Sequence, residues 1–181
     1  MFCWIRLEYM FNSDNINVSD VDDHNWQDFQ KLTNEVLHSN YPEALFNDCG
    51  ARKHLIHFSK IVKVKGNVIA GAKAYSVTSL SGVKNSTSNI VPLATYIETI
   101  VVDNRYRDKG IGTYLIELIE QESQNCFTPK IILHTPKNNT KVIKWYLMKG
   151  YRIQNTVEGY YSATELDSKY SPDAFLLEKD L

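Results

Sequence analysis

The sequence predicts one α/β domain, a mixed central sheet flanked by helices. Three stretches predict it. Residues 55–77 alternate apolar and polar side chains on either side of Gly66-Asn67, the pattern of a β-hairpin. Residues 96–119, "YIETIVVDNRYRDKGIGTYLIELI", begin as a strand, break at a basic glycine turn and continue as an amphipathic helix. "KIILHT" at 130–135 then leads into a second helix that ends at Gly150. The whole order reads β-α-(short α)-β-β-β-α-β-α-β-β, in 181 residues that suffice for a single core.

Taken in turn, "WIRLEY" near the N-terminus reads as a first strand and "FNSDNINVSDVDD" as a polar turn region. Asp22 or Asp23 caps a helix over residues 24–38, with Trp26, Phe29, Leu32, Val36 and Leu37 on one face as core residues. Pro42 disfavours helix at Tyr41, so "NYPEALFNDCG" is a bend with a short helix. Residues 78–92 form a long polar loop of the kind that is usually an insertion. The second helix of the strand–helix pairs spans 139–149, and "YRIQNTV" and "DAFLLEKDL" close the sheet around a loop containing "EGYY".

Composition narrows the function. Hydrophobic residues are 43% and charged residues 23%, an ordinary globular profile. A net charge of -1 gives no electrostatic footprint for nucleic acid or an anionic membrane and favours a small molecule or short peptide as partner. Cys3, Cys49 and Cys126 are odd in number and scattered, which argues against a disulfide framework or zinc site and for a reducing compartment. Arg6 and Glu8 interrupt the apolar N-terminus, so no signal peptide or membrane span is expected, the location is expected to be cytoplasmic, and the sequons at Asn17, Asn85 and Asn138 are chance matches.

The chemistry concentrates in "RYRDKGIG". Gly110 and Gly112 let backbone approach a ligand, and the helix that starts there offers unpaired N–H groups to an anion. Arg105, Arg107 and Lys109 add positive charge, so a phosphate or pyrophosphate is the natural guest. A Walker loop is absent, and Leu115 stands where a dinucleotide fingerprint needs its third glycine. What remains is [RQ]-x-x-G-x-[GA], filled by Arg107, Gly110 and Gly112. Out of context, six such residues are better read as a charged helix start. The context is a second unit, "NTKVIKWYLMKGY", carrying Asn139, Trp145, Tyr146, Gly150 and Tyr151.

Together the two motifs resemble the GNAT superfamily of acetyl-CoA-dependent N-acetyltransferases, with Val142 departing from the usual Ala. The resemblance implies the GNAT fold and acetyl-CoA as cofactor, released as CoA. It implies cofactor contacts from the backbone of Ile100, Val101 and Val102, from Arg107, Asp108, Lys109, Gly110, Ile111, Gly112 and Thr113, and from Asn139 and Tyr146. No metal is implied. "YIETIVVDNRYRDKGIG", "IILHTPKNNTKVIKWY", "EGYY" and "DAFLLEKDL" further resemble the catalytic subunits of protein N-terminal (Nα) acetyltransferases, NatE first and NatA next, from about Ile16 to Leu181.

That closer resemblance implies roles. Tyr96 and His134 would flank the thioester and pass the amine's proton through ordered water, and Tyr146 would donate to the departing thiol. Alone, His134 would read as a core histidine; its place on a strand next to that of Tyr96 reverses the reading. Tyr160 and Tyr161 would grip the substrate's N-terminal backbone, with Tyr41 and Pro42 as the opposite wall. An α-amine suits such a site. Its pKa of roughly 7.7–8.0, against about 10.4 for lysine, leaves roughly a tenth of it neutral near pH 7. A histidine–water relay is then a sufficient base.

Specificity departs from the NatE pattern at two carboxylates. Glu43 and Glu98 stand where that pattern is apolar, and Glu43 agrees with NatA. Each is either a solvated rim carboxylate, a holder of the substrate ammonium or a second base. The resemblance implies Met-initiated N-termini with an apolar second residue, followed by small processed N-termini. It also implies docking on a helical-repeat auxiliary subunit that binds the ribosome. Two alternatives stay open: a GNAT enzyme for lysine side chains or a small amine, and a non-catalytic acetyl-CoA-binding subunit.

Overall fold

The computed structural model describes residues 16–37, 41–47, 57–77, 92–162 and 167–181. Its elements are β1 (Ile16–Asp20), α1 (Trp26–Leu37), the one-turn α2 (Ala44–Asn47), β2 (His57–Val64), β3 (Asn67–Val77) and β4 (Ala94–Val102). A 3-10 turn (Asn104–Tyr106), α3 (Ile111–Asn125), β5 (Lys130–Pro136), α4 (Thr140–Met148), β6 (Arg152–Val157) and β7 (Ala174–Asp180) follow. This is a mixed α/β fold, a seven-stranded sheet flanked by helices, with strand order β1-β2-β3-β4-β5-β7-β6. All neighbours run antiparallel except β4 and β5.

The element order matches the sequence reading, with one relocation. "WIRLEY" lies outside the described residues, and the first described strand falls inside the stretch read as a polar turn. Ile16 and Val18 supply the reason: they lie opposite Val64 and Val62 of β2 and pack on the core. A two-apolar strand among Asn, Ser and Asp is decided by its ladder rather than by local pattern. The hairpin turn also shifts by one residue. Lys65 (φ 51°) and Gly66 (φ 83°) both adopt left-handed backbone, as a primed two-residue turn demands, and Asn67 begins β3.

Helix α1 starts through its flanking polar residues. The Asn25 side chain accepts from Asp22 N–H at 2.9 Å, and Asp22 Oδ1 accepts from His24 N–H at 2.9 Å. Phe29 and Leu32 bury against Phe46, Ile61 and Val101, with Trp26, Val36 and Leu37 packed on the same cluster. Gly71 of β3 lies under the Phe29 ring, where a Cβ would meet Cε2 at 2.4 Å. The other sheet face carries the larger core, in which Ile111, Leu115, Ile116 and Ile119 of α3 pack on Val62, Ile97, Ile131 and Leu133. Ser123 Oγ sits 2.8 Å from Thr95 Oγ1 and 2.7 Å from the Ile119 carbonyl, linking α3 to β4. At the far edge, buried Glu178 of β7 pairs with Lys130 of β5 at 3.2 Å and Arg152 of β6 at 2.8 Å, joining the three closing strands.

Candidate active site

Strand β4 carries the first half of the site, and its irregularity organises it. It pairs in parallel with β5 only over Thr95–Ile97. On its other side the register with β3 shifts: Ile97 faces Ala74 while Thr99 faces Lys73, which leaves Glu98 as an extra residue in a bulge. The bulge inverts the side-chain alternation. Thr95 and Ile97 point toward α3, and beyond the bulge it is Ile100 and Val102 that pack on that same core. The strand therefore presents an edge without a β5 partner over Glu98–Val102.

That open edge leads into the glycine turn. Asp108 (φ 61°) and Gly110 (φ 78°) both take left-handed backbone, and Gly110 is the residue before α3. A Cβ at Gly110 would meet nothing within 4 Å, so the glycine is required by its dihedral and not by crowding. The first N–H groups of the 15-residue helix point outward at this place. Arg107 donates from Nε to the Val102 carbonyl at 3.2 Å, which fixes its stem at the end of β4. Arg105 turns elsewhere: it is ion-paired with Asp103 at 2.6 Å, whose carboxyl that guanidinium holds below its usual range. Lys109 sits 5.3 Å from the centre of the Tyr106 ring.

Turn, open strand edge and α4 enclose a cavity of about 500 Å³. Ile100, Val101, Val102, Arg107, Asp108, Gly110, Ile111, Gly112, Thr113, Asn139 and Tyr146 all line it. Of the cofactor residues implied by the sequence, Lys109 alone is not in the lining. The cavity also has walls that the sequence reading did not include: Val36 and Leu37 from α1, Trp145 from α4, and Tyr170 from the loop before β7. Val142 packs there as well, beside Trp145. The Asn138 side chain anchors that loop, accepting from Ser171 N–H at 2.7 Å and donating to the Lys169 carbonyl at 2.9 Å. A channel with apolar walls, an unpaired strand edge and an anion-binding helix start fits an acyl-pantetheine pyrophosphate.

Tyr96 and His134, the pair to which the resemblance assigns the proton relay, meet where β4 and β5 are still paired. The Tyr96 hydroxyl lies 3.2 Å from His134 Nδ1 and 2.7 Å from the Tyr160 hydroxyl. The His134 and Tyr160 rings stack at 3.9 Å with 14° between planes. Tyr96 and His134 are thus brought together as expected, and Tyr160 joins them more closely than a wall residue would. Burial pushes the Tyr96 hydroxyl far above its ordinary range, with the neighbouring Tyr160 adding to it. Tyr96 therefore stays protonated. Burial has the opposite consequence for His134, whose pKa falls below 6.5 because a charged imidazolium is disfavoured there. The buried Tyr146 is likewise raised by desolvation and remains a donor.

The residues that the resemblance assigns to the walls of a peptide slot are held through their backbone. Asn34 Oδ1 accepts from Tyr41 N–H at 2.9 Å, and Gln30 Nε2 donates to the Tyr41 carbonyl at 3.0 Å. Pro42 and Glu43 follow, both exposed, and their carbonyls accept from Leu45 and Phe46 to form α2. Opposite them, Tyr161 N–H donates to the Pro172 carbonyl at 2.9 Å and Gly159 N–H to Asp173 Oδ1 at 3.0 Å. Burial raises the Tyr161 hydroxyl, and Tyr160, Tyr41 and Tyr146 are close enough to contribute. The Tyr161 ring lies edge-on to that of Tyr160, with centres 4.8 Å apart.

Glu98 has a neighbour that sequence reasoning did not name. It lies 3.1 Å from the ammonium of Lys73, a lysine of β3 whose side chain is only 6% exposed. Lys73 also donates to the Leu45 carbonyl of α2. The signal that would find it is a lysine amid an otherwise apolar alternating strand, which by itself marks no partner. Among the described residues no group of His, Cys, Asp and Glu is arranged to hold a metal, and no helix is long and apolar enough to cross a membrane.

The family described as "Acetyltransferase (GNAT) family" matches residues 18–151. A probable N-acetyltransferase of Drosophila melanogaster, san, is 28% identical over 170 residues, 92% of this chain and 81% of that protein. The uncharacterized protein YxbD of Bacillus subtilis is 32% identical over 102 residues, 53% of this chain and 62% of its own length. Arabidopsis thaliana Naa50, solved with the bisubstrate analogue CoA-Ac-MVNAL, superposes with a TM-score of 0.72 at 22% identity, covering 92% of this chain and 99% of that one. Chaetomium thermophilum Naa20 with a bisubstrate analogue gives 0.75 at 21%, covering 91% and 86%. These structural likenesses carry the fold.

Proposed function

The chain belongs to the acetyltransferase (GNAT) family, and from that premise we propose that it acetylates the α-amine at the N-terminus of a peptide. Acetyl-CoA is the acyl donor, as family membership entails, and it supplies an activated thioester. The observation that carries the reading is the slot. A protonated Tyr96 and a neutral His134 stand 3.2 Å apart at the sheet, with the Tyr160 hydroxyl 2.7 Å from that of Tyr96.

The roles follow from protonation. His134 accepts the amine's proton through water, since burial keeps it neutral at pH 7. Tyr96, held protonated, orients that water and links His134 to Tyr160. Arg107 and the start of α3 bind the pyrophosphate, and the buried Tyr146 hydroxyl donates toward the leaving sulfur. No covalent enzyme intermediate is needed. Peptide entry between Tyr41-Pro42 and Tyr160-Tyr161 favours a chain end over a lysine on a folded surface, because the slot admits extended backbone. A helical-repeat auxiliary subunit is a proposed partner in keeping with the N-terminal acetyltransferase resemblance.

The test is CoA release with acetyl-CoA and short peptides that vary in the first two residues, together with an Nα-blocked peptide holding an internal lysine. Turnover on free N-termini and none on the blocked peptide supports the reading. Turnover on the blocked peptide or on a polyamine, without turnover on free N-termini, overturns it.

A further inference from the structure

We propose that the Lys73–Glu98 pair sets the first-residue specificity of the slot, selecting N-termini that begin with a small hydroxyl residue, serine or threonine, over methionine. The inference rests on the α-amine reading above and names the substrate class of that same site. Lys73 and Tyr75 alternate onto the face of β3 that meets Tyr96; Tyr75 is the ladder partner of Tyr96, and their rings lie 5.4 Å apart. Glu98, the extra residue of the bulge, shares this face, where it meets Lys73; it is two residues from Tyr96, or about 7 Å along the strand. From an amine held at Tyr96 and His134, that is within reach of the first side chain and its water.

The pair is held under the slot wall. The Lys73 ammonium donates to the Leu45 carbonyl, in the helix that follows Tyr41-Pro42-Glu43. Glu98 Oε2 is buried against Lys73 at 3.1 Å but takes no aligned hydrogen bond among the described residues. The Glu98 side chain is 22% exposed although Oε2 itself is sealed, so its reach toward a substrate is through the rest of the carboxylate. The carboxylate still has acceptor capacity, since each oxygen takes two bonds. A serine or threonine hydroxyl can donate to the carboxylate oxygen that is not sealed. A methionine side chain seated there strips water from a carboxylate and returns no hydrogen bond, which is costly. The order is therefore the reverse of the one the NatE resemblance implies. Lys73 keeps the floor near neutral overall, so the preference is for a donor and not for an additional positive charge.

The experiment compares kcat/KM for peptides that differ only at the first residue. Serine is expected to exceed alanine, and threonine to exceed valine, by about tenfold or more, the scale of a hydrogen bond to a charged group. Methionine is expected below serine. The variant K73L/E98M removes both charges together, which avoids leaving one buried and unpaired. In it the serine-to-alanine ratio is expected to approach one and methionine to overtake serine. Methionine preferred by the native chain, a native serine-to-alanine ratio near one, or a ratio unchanged in a folded double variant would each overturn the proposal. Should the double variant not fold, the native ratios decide alone. Flat turnover across all free N-termini would sink this inference and leave the α-amine reading intact, whereas turnover confined to lysine would remove the reading itself.

Discussion

Replacing Tyr96 by Phe deletes one oxygen and keeps the ring. That oxygen makes two contacts, 2.7 Å to the Tyr160 hydroxyl and 3.2 Å to His134 Nδ1. Each hydrogen bond contributes about 1 kcal/mol net to folding, so loss of both lowers stability by about 1–2 kcal/mol. For a domain of this size that is a melting shift of roughly 2–8 °C. The catalytic loss should be larger than this. A positioned proton-transfer group contributes about 10²–10⁴-fold, and removing the link that holds the water should cost at least the lower figure in kcat. KM for acetyl-CoA should stay within about threefold, since Tyr96 does not line the cofactor cavity. The assay is steady-state CoA release on a reactive free-amine peptide, beside thermal unfolding. A folded Tyr96→Phe variant with kcat within about threefold of native would refute the relay. A change confined to the peptide KM would make Tyr96 a wall residue instead.

Three further outcomes are expected. First, His134 must be neutral to act and its pKa lies below 6.5. The kcat/KM profile should therefore rise with the peptide amine near roughly pH 7.7–8.0 and show a second break only below pH 6.5. His134→Ala should lose that lower break; a break at or above 6.5 contradicts the assignment. The same depressed pKa means native stability declines as pH falls from 6.5 through the lower folded value, because the unfolded chain binds the proton more readily. Second, Gly110→Ala places a Cβ at φ 78°, where it meets nothing within 4 Å, so the cost is backbone strain of about 1–2 kcal/mol. Titration calorimetry should show acetyl-CoA binding weakened about tenfold, and an unchanged Kd would dissociate the turn from the cofactor. Third, Gly71→Ala drives a Cβ to 2.4 Å from Phe29 Cε2 in a packed cluster and should cost about 1–3 kcal/mol. Unfolding in urea measures it, and a neutral result would mean that the α1 face repacks freely.

Residues whose roles are fixed by near neighbours in the chain were readable from the sequence. The β4–turn–α3 unit announces itself because glycine dihedrals, basic side chains and a helix start lie within one short stretch. The same holds for α4, bounded by Asn139 and Gly150. Features decided across the sheet were not readable. β1 exists because Ile16 and Val18 meet Val64 and Val62. Lys73 looks like a polar position on an alternating strand, and only the bulge at Glu98 and the Leu45 carbonyl make it a buried partner. Tyr170 reaches the cavity from a loop whose anchor, Asn138, is remote in sequence. Arg105 adds to the positive charge of the turn in the sequence, and only the fold shows it ion-paired with Asp103. The contact between Tyr160 and Tyr96 joins β4 to the loop after β6, which the motifs locate but do not orient.

The most direct test of the account gives the enzyme one peptide with a free α-amine and an internal lysine, then locates the acetyl group by fragment mass spectrometry. The account predicts acetyl on the first residue's nitrogen and an unmodified lysine, with the yield collapsing in Tyr96→Phe. Acetyl on the lysine, with the α-amine untouched, would contradict it.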